Sequence, residues 1–213
     1  MKKIFINSKE SDSKEKNLKK DIESYNMGAS KKDMKNSLSS KEIYNIDKDL
    51  IKEIPKESKK AQELYSKSSD IFNEYFRGYE EKTLKEMAKA NLKIEDVKNH
   101  ITNLKKSTVT TKKEYVVYRG VTGKFDVNRF NKSDGFISTS FDKAIAKGYT
   151  RGNGEIVVIR VLKGTPVMYI RQNSIYPLHM ELLMPDDFYL KKLASKGKNE
   201  YVVTKRKLKN SQF

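Results

Sequence analysis

The chain has 213 residues, 36% apolar and 34% charged, with 45 Lys and Arg against 28 Asp and Glu and a formal net charge of +17. That length suits one domain, alone or with a helical appendage, and the polar balance leaves part of the chain outside a core. There is no cysteine and there are only two histidines, His100 and His179, which excludes disulfides, thiolate nucleophiles and cysteine–zinc sites and argues against a multi-histidine metal centre. The first residues read MKKIFINSKESDSKEK, and their short apolar run is too small for a secretory signal. No stretch reaches the roughly 20 apolar residues that cross a bilayer. The expectation is a monomer with no signal peptide and no membrane span. The basic excess suits a solvated lysine-rich surface, and it also suits nucleic acid or an anionic ligand such as a dinucleotide. The charge is spread along the chain, so it does not choose among them.

Residues from about 10 to 107 predict helix. Segments 16–25, 40–54, 59–76 and 84–90 carry apolar residues three and four apart, and Gly28, Pro55 and Gly78 interrupt them. Ser39 or Ser40 is placed to cap the helix that follows. Residues 8–20 are polar enough to predict fraying or disorder. From Lys113 the pattern changes to short β-branched and aromatic runs: YVVYR (115–119), GFIST (135–139), EIVVIRV (155–161), PVMYI (166–170), MELLM (180–184) and EYVVTKRKL (200–208). One helix, 141–149, interrupts them. A helical half followed by a strand-rich half predicts an α+β fold. The strands are expected to be mainly antiparallel, because the spacers are too short for repeated helical crossovers. Rossmann and Walker glycine patterns are absent, which excludes those phosphate sites.

Four separated segments carry the candidate chemistry: NEYFRG (73–78), YRG (118–120), GFISTS (135–140) and YPLHMELLMP (176–185). An arginine ending a strand is ordinarily a surface residue, and a Ser-Thr-Ser triplet ordinarily caps a helix. Glu181, between Met180 and Leu182, is less ordinary, since a buried unpaired carboxylate is costly. Alternation along a strand would put His179, Glu181 and Leu183 on one face.

In that order these segments resemble the ADP-ribosyltransferase exotoxins of the arginine–STS–glutamate class, especially the single-domain C3-type exoenzymes and the binary-toxin catalytic domains. The likeness extends from Ile71–Gly78 through the Lys163-Gly164 turn and the Tyr169-Ile170 pair to Leu182-Leu183-Met184-Pro185, and covers about 65–205. It implies a helical N-terminal half packed on a mixed, mainly antiparallel two-sheet core, with a basic helical extension over 1–60 and the catalytic domain over 61–213. The activity it implies is mono-ADP-ribosyl transfer from NAD, used as a substrate without metal, to a macromolecule. A protein acceptor is the first expectation, with NAD hydrolysis as a side reaction.

Residue by residue, the resemblance makes Glu181 the catalytic carboxylate, braced by Ser138, with Thr139 and Ser140 shaping the pocket floor. Arg119 pairs with the pyrophosphate and Arg77 adds a second phosphate contact. Gly120 offers its backbone to the nicotinamide, and Tyr149 and Arg151 lie on a segment that contacts NAD. Tyr176 holds the place of a target-recognition aromatic. Such a chain acts in the cytoplasm or is delivered into a target cell as a toxin or phage effector, and its Lys/Asn/Ile-rich composition fits a low-GC bacterium or its phage.

One position departs from the family. Two residues before its catalytic glutamate the family keeps glutamate or glutamine, and this chain has His179. A histidine there can activate, orient or stack on an acceptor, or simply close the strand edge, and it makes an arginine acceptor less expected. His100 reads as a solvated helix cap. The helical half either completes the domain or recognises a target through its lysines. Transfer to nucleic acid, and a non-catalytic binding module of the same fold, stay open.

Overall fold

A computed structural model describes residues 38–78, 81–89, 92–132, 135–194 and 199–205. The helix expected over 16–25, the fraying over 8–20 and the break at Gly28 lie outside them. Helix α1 (Ser40–Leu50) begins with a reciprocal cap: Glu42 N donates to Ser39 Oγ at 3.3 Å, and Ser39 N donates to Glu42 Oε2 at 2.8 Å. It ends at Leu50 rather than 54, because Ile51 is already extended and the chain stays non-helical up to Pro55. Pro55 then precedes α2 (Lys56–Arg77), where its missing N–H leaves no helical acceptor unpaired. Ser68 (φ −146, ψ 42) kinks α2. Helices α3 (Glu81–Lys89) and α4 (Ile94–Lys105) follow. His100 sits inside α4, half-buried, with its Nδ1 enclosed and unpartnered among the described residues, so the capping expectation fails.

Among the described residues eight strands follow: β1 (Val109–Thr110), β2 (Tyr115–Val121), β3 (Ile137–Ser140), β4 (Glu155–Val161), β5 (Pro166–Tyr169), β6 (Glu181–Met184), β7 (Phe188–Lys192) and β8 (Glu200–Lys205). They join in the order β1-β5-β6-β3-β2-β4-β8-β7, antiparallel everywhere except β4–β8. The joint at the middle is thin. Strands β2 and β3 share the single pair Tyr118↔Ser140, whereas β2 and β4 share seven pairs, from Tyr115↔Val161 to Val121↔Glu155. The order therefore falls into two four-stranded halves that part between β2 and β3.

Burial explains the sequence patterns of the two halves. In β5 and β6, Val167, Tyr169, Leu182 and Met184 face one core with α1 and the other half, while Met168 and Leu183 face a second core with α2, α3 and α4. Both faces are covered, so PVMYI and ELLM read as nearly continuous apolar runs. Strand β2 alternates instead, with Tyr115 and Val117 inside and Val116 exposed. The expected boundary between residues 60 and 61 falls inside α2, and α1 and α2 both serve these cores, since α1 contributes Ile43, Ile46 and Leu50 and α2 contributes Ala61, Tyr65, Ile71 and Phe72.

Two expectations need correction. The strand-rich half contains α5 (Val127–Lys132) as well as α6 (Lys143–Gly148), and α5 is too short to establish a helical period. Strand β7 also escaped the pattern. It is an edge strand with only Phe188 and Leu190 buried, which gives too few inward positions to mark alternation.

Candidate active site

The opening between the two halves is where the titratable groups converge. Arg119 lies inside β2 rather than at its end, and β3 lies across the thin joint. Arg119 Nη1 donates to Ser138 O at 2.6 Å, its guanidinium lies 5.2 Å from the Phe130 ring, and its buried Nε has no partner among the described residues. Burial depresses the Arg119 pKa, and the nearby Tyr65 and Glu181 partly restore it.

Glu181 is the first residue of β6, opposite Ser140 of β3. Ser138 is therefore its diagonal neighbour on the same side of the pair, and Ser138 Oγ donates to Glu181 Oε1 at 2.5 Å. Burial raises the Glu181 pKa above the ordinary glutamate value, with the Ser138 bond and the Arg119 charge working against that shift. One chain of contacts thus joins the halves, from Arg119 through Ser138 to Glu181.

The other two members of the triplet are structural at their hydroxyls. Thr139 Oγ1 donates to Leu182 O at 2.8 Å, and Ser140 Oγ donates to His179 O at 2.6 Å while accepting from Asp142 N. The cap of α6 is Asp142, whose Oδ1 accepts from Ala144 N and Ile145 N, and not the triplet itself. Both Thr139 and Ser140 do border the cleft.

At the mouth, Tyr176 stacks on His179 with ring centroids 4.9 Å apart and planes 14° apart. Tyr149 meets the His179 edge, its hydroxyl 3.3 Å from Nδ1. Burial holds the His179 pKa below its ordinary value, so the ring is neutral at neutral pH. His179 does not share a strand with Glu181, which corrects the alternation argument. It ends a 3₁₀ turn (Pro177–His179), and Met180 takes a left-handed conformation (φ 45) before β6 begins. Both side chains border the same cleft because that turn redirects the chain.

Other expected residues divide. Arg77 ends α2 outside the cleft lining, with Nη1 3.5 Å from Glu74, although its charge is felt at Arg119. Arg151 is exposed and also outside the lining. Gly120 does border the cleft, but a side chain there is forbidden by the protein itself: a Cβ would stand 1.9 Å from Ala146 O and 3.0 Å from Tyr149 Cβ.

Apart from Asn73, the first residue of NEYFRG, the α2 wall has no counterpart among the candidate segments. Ser66, Ser69, Asp70 and Asn73 face the cleft beside buried Tyr65, and Tyr118 joins them from β2. Asn73 Oδ1 accepts from Phe136 N at 3.2 Å, and it would lie 2.9 Å from a Cβ at Gly135. Asn73 therefore sets the entry to β3. Its signal was a polar stripe at 66, 69, 70 and 73, one face of a helix. Among the described residues no group of His, Asp and Glu is arranged to hold a metal ion, and no helix is long and apolar enough to cross a membrane.

The family model described as ADP-ribosyltransferase exoenzyme matches residues 19–210. Among solved structures, the C3 exoenzyme of Clostridium limosum is 17% identical, with 76% of this chain and 90% of that one covered and a TM-score of 0.51. A mutant of the eukaryotic mono-ADP-ribosyltransferase ART2.2 in complex with NADH is 21% identical, with 80% and 76% covered and a TM-score of 0.50. At these identities the likeness shows the fold. No curated protein matches the sequence.

Proposed function

This chain belongs to the ADP-ribosyltransferase exoenzyme family, and from that premise we propose that it transfers ADP-ribose from NAD to a macromolecular acceptor, a protein in the first instance. The observation that carries the reading is the linked set Arg119–Ser138–Glu181 across the thin joint, with contacts of 2.6 and 2.5 Å. The cleft beside it measures about 280 Å³, a size that suits the nicotinamide riboside end of NAD, with the adenosine end lying outside. The NADH bound by the ART2.2 mutant supports a nicotinamide dinucleotide as ligand of this fold.

Breaking the nicotinamide–ribose bond builds positive charge on the ribose C1′, as in glycoside cleavage. A carboxylate held at the ribose stabilises that charge more than the ground state. Glu181 fills this role, and Ser138 holds it in one rotamer. Arg119 fits the pyrophosphate, because its guanidinium, whose Nε has no partner among the described residues, is a fork suited to phosphate oxygens. Tyr149, Tyr176 and His179 then receive the acceptor. Without an acceptor, nicotinamide departs, water adds to C1′ of the same cation and gives its proton to solvent, and slow NAD hydrolysis to ADP-ribose results.

A second reading, transfer to nucleic acid, draws on the net charge of +17 and on a rim of stackable rings. Incubating the protein with labelled NAD and whole-cell extract, then digesting separately with protease and nuclease, distinguishes the two. Label released by protease alone supports the protein acceptor. Label released by nuclease alone replaces it, and no consumption of NAD refutes both.

A further inference from the structure

We propose that α1 and α2 form a rail for the loop 171–179, making Asp47, Gln62 and Ser66 positioning residues for acceptor transfer; this rests on the acceptor role given above to Tyr176 and His179. Three alternate loop residues are tied to the helices. Arg171 Nη1 donates to Asp47 Oδ2 of α1 at 2.8 Å. Asn173 Nδ2 donates to Gln62 Oε1 of α2 at 2.6 Å, and Ile175 N donates to Ser66 Oγ, one helical turn further along, at 3.1 Å. The rail is also fastened to β5, since Tyr169 Oη donates to Asp47 Oδ1 at 2.9 Å.

These ties are not what holds the helices. Apolar burial already does that, through Ile43, Ile46 and Leu50 on α1 and Ala61, Tyr65, Ile71 and Phe72 on α2. The loop has no such anchor. Ile175 is 42% exposed and Tyr176 51% exposed, and the turn Pro177–His179 has no buried residue. Apolar contact therefore leaves the loop loose, and the polar ties decide where its rings sit. At the far end, the Ser140 bond to His179 O secures the loop to β3. The stacked pair lies between two fastenings, one from the helices and one from the triplet. Loss of the helical fastening frees Tyr176 and His179 while Arg119, Ser138 and Glu181 keep their strand register.

The chain contains no tryptophan, so Tyr176→Trp supplies a lone indole as reporter of loop position. Adding Asn173→Ala to that background is expected to raise acrylamide quenching of the indole and lower its anisotropy. In the otherwise native chain, Asn173→Ala is expected to cut labelling of whole-cell-extract protein by about tenfold, with NAD hydrolysis and its KM within about twofold of native. Asp47→Asn strands the Arg171 guanidinium and risks the fold, so the combined change Asp47→Leu, Arg171→Met and Tyr169→Phe, which removes both charges and the buried hydroxyl that donates to Asp47, is measured beside it. The same split is expected there. An indole unaffected by either change, or labelling and hydrolysis lost in equal measure by a folded variant, overturns the rail. Native protein that neither hydrolyses NAD nor labels extract refutes the proposed activity instead, and the indole measurement still decides whether the helices hold the loop.

Discussion

Ser138 and Glu181 sit on a ladder of four residue pairs that dictates their contact, and Arg119 reaches them from β2 across a single pair. Tyr149, Tyr176 and His179 sit on turns, and ring contacts relate them to one another. Strand register is shared by every residue of a ladder and cannot drift at one position alone. A turn can change residue by residue without disturbing the core. The proposed donor side is thus built for fixed geometry, as charge stabilisation requires, and the proposed acceptor side for variation. The departure at His179 lies on the variable side.

The largest effect expected is at Glu181. Glu181→Gln keeps the shape and removes the charge, so both transfer and hydrolysis should fall by roughly a thousandfold, with NAD affinity by calorimetry nearly unchanged. Near-normal turnover would remove the donor half of the comparison. Next comes Arg119→Ala, which should weaken NAD binding by about 1.5–3 kcal/mol through loss of charge-assisted bonds, read by calorimetry or ligand-induced thermal shift. An unaltered affinity in a folded variant would show that the fork does not grip phosphate.

A smaller effect sharpens the contrast. His179→Ala should lower the ratio of transfer to hydrolysis by about tenfold, because water needs less positioning than a macromolecular acceptor. Equal loss of both activities would put His179 on the donor side. The pH profiles should separate in the same way. Hydrolysis should lose rate on acidification through a Glu181 limb lying above the ordinary 4.5. Transfer should carry an additional His179 limb lying below 6.5, absent in His179→Gln.

The smallest effect is on stability. Folding raises the Glu181 pKa, so above the unfolded value of 4.5 the native state holds a proton that the unfolded chain has released. Stability therefore falls as pH rises through that window, and the cost persists at neutral pH. Glu181→Gln removes it. The variant should melt above the native protein at neutral pH, with the gain vanishing well below pH 4.5. A lower melting temperature at neutral pH would mean that the carboxylate is structurally favourable.

Strands β5 and β6 were readable because covering both faces leaves nearly continuous apolar runs, PVMYI and ELLM, and β4 because its buried positions alternate along EIVVIRV. Ser39 was readable because its cap is local. Glu181 stood out as a charge within such a run. What escaped depended on distance or on turns. His179 was assigned to a strand because nothing in LHMEL announces that Met180 adopts φ 45, a conformation uncommon for residues other than glycine. The roles of Asn73 and Gln62 depend on partners at Phe136 and Asn173, which no local period connects. Gly120 was given a ligand-facing reason, whereas the neighbour that excludes a side chain is the backbone of α6.

The single pair between β2 and β3 has a consequence for heating. With Tyr118↔Ser140 the only rung there, a molecule gripped at once by Arg119 and Glu181 becomes a strut across the weakest joint of the sheet. Its occupancy adds to the unfolding free energy by mass action, and that gain is concentrated where the native chain supplies least. Amides of β2 and β3 beside the joint should then slow their hydrogen exchange more than those of the β2–β4 ladder, which is already seven rungs long.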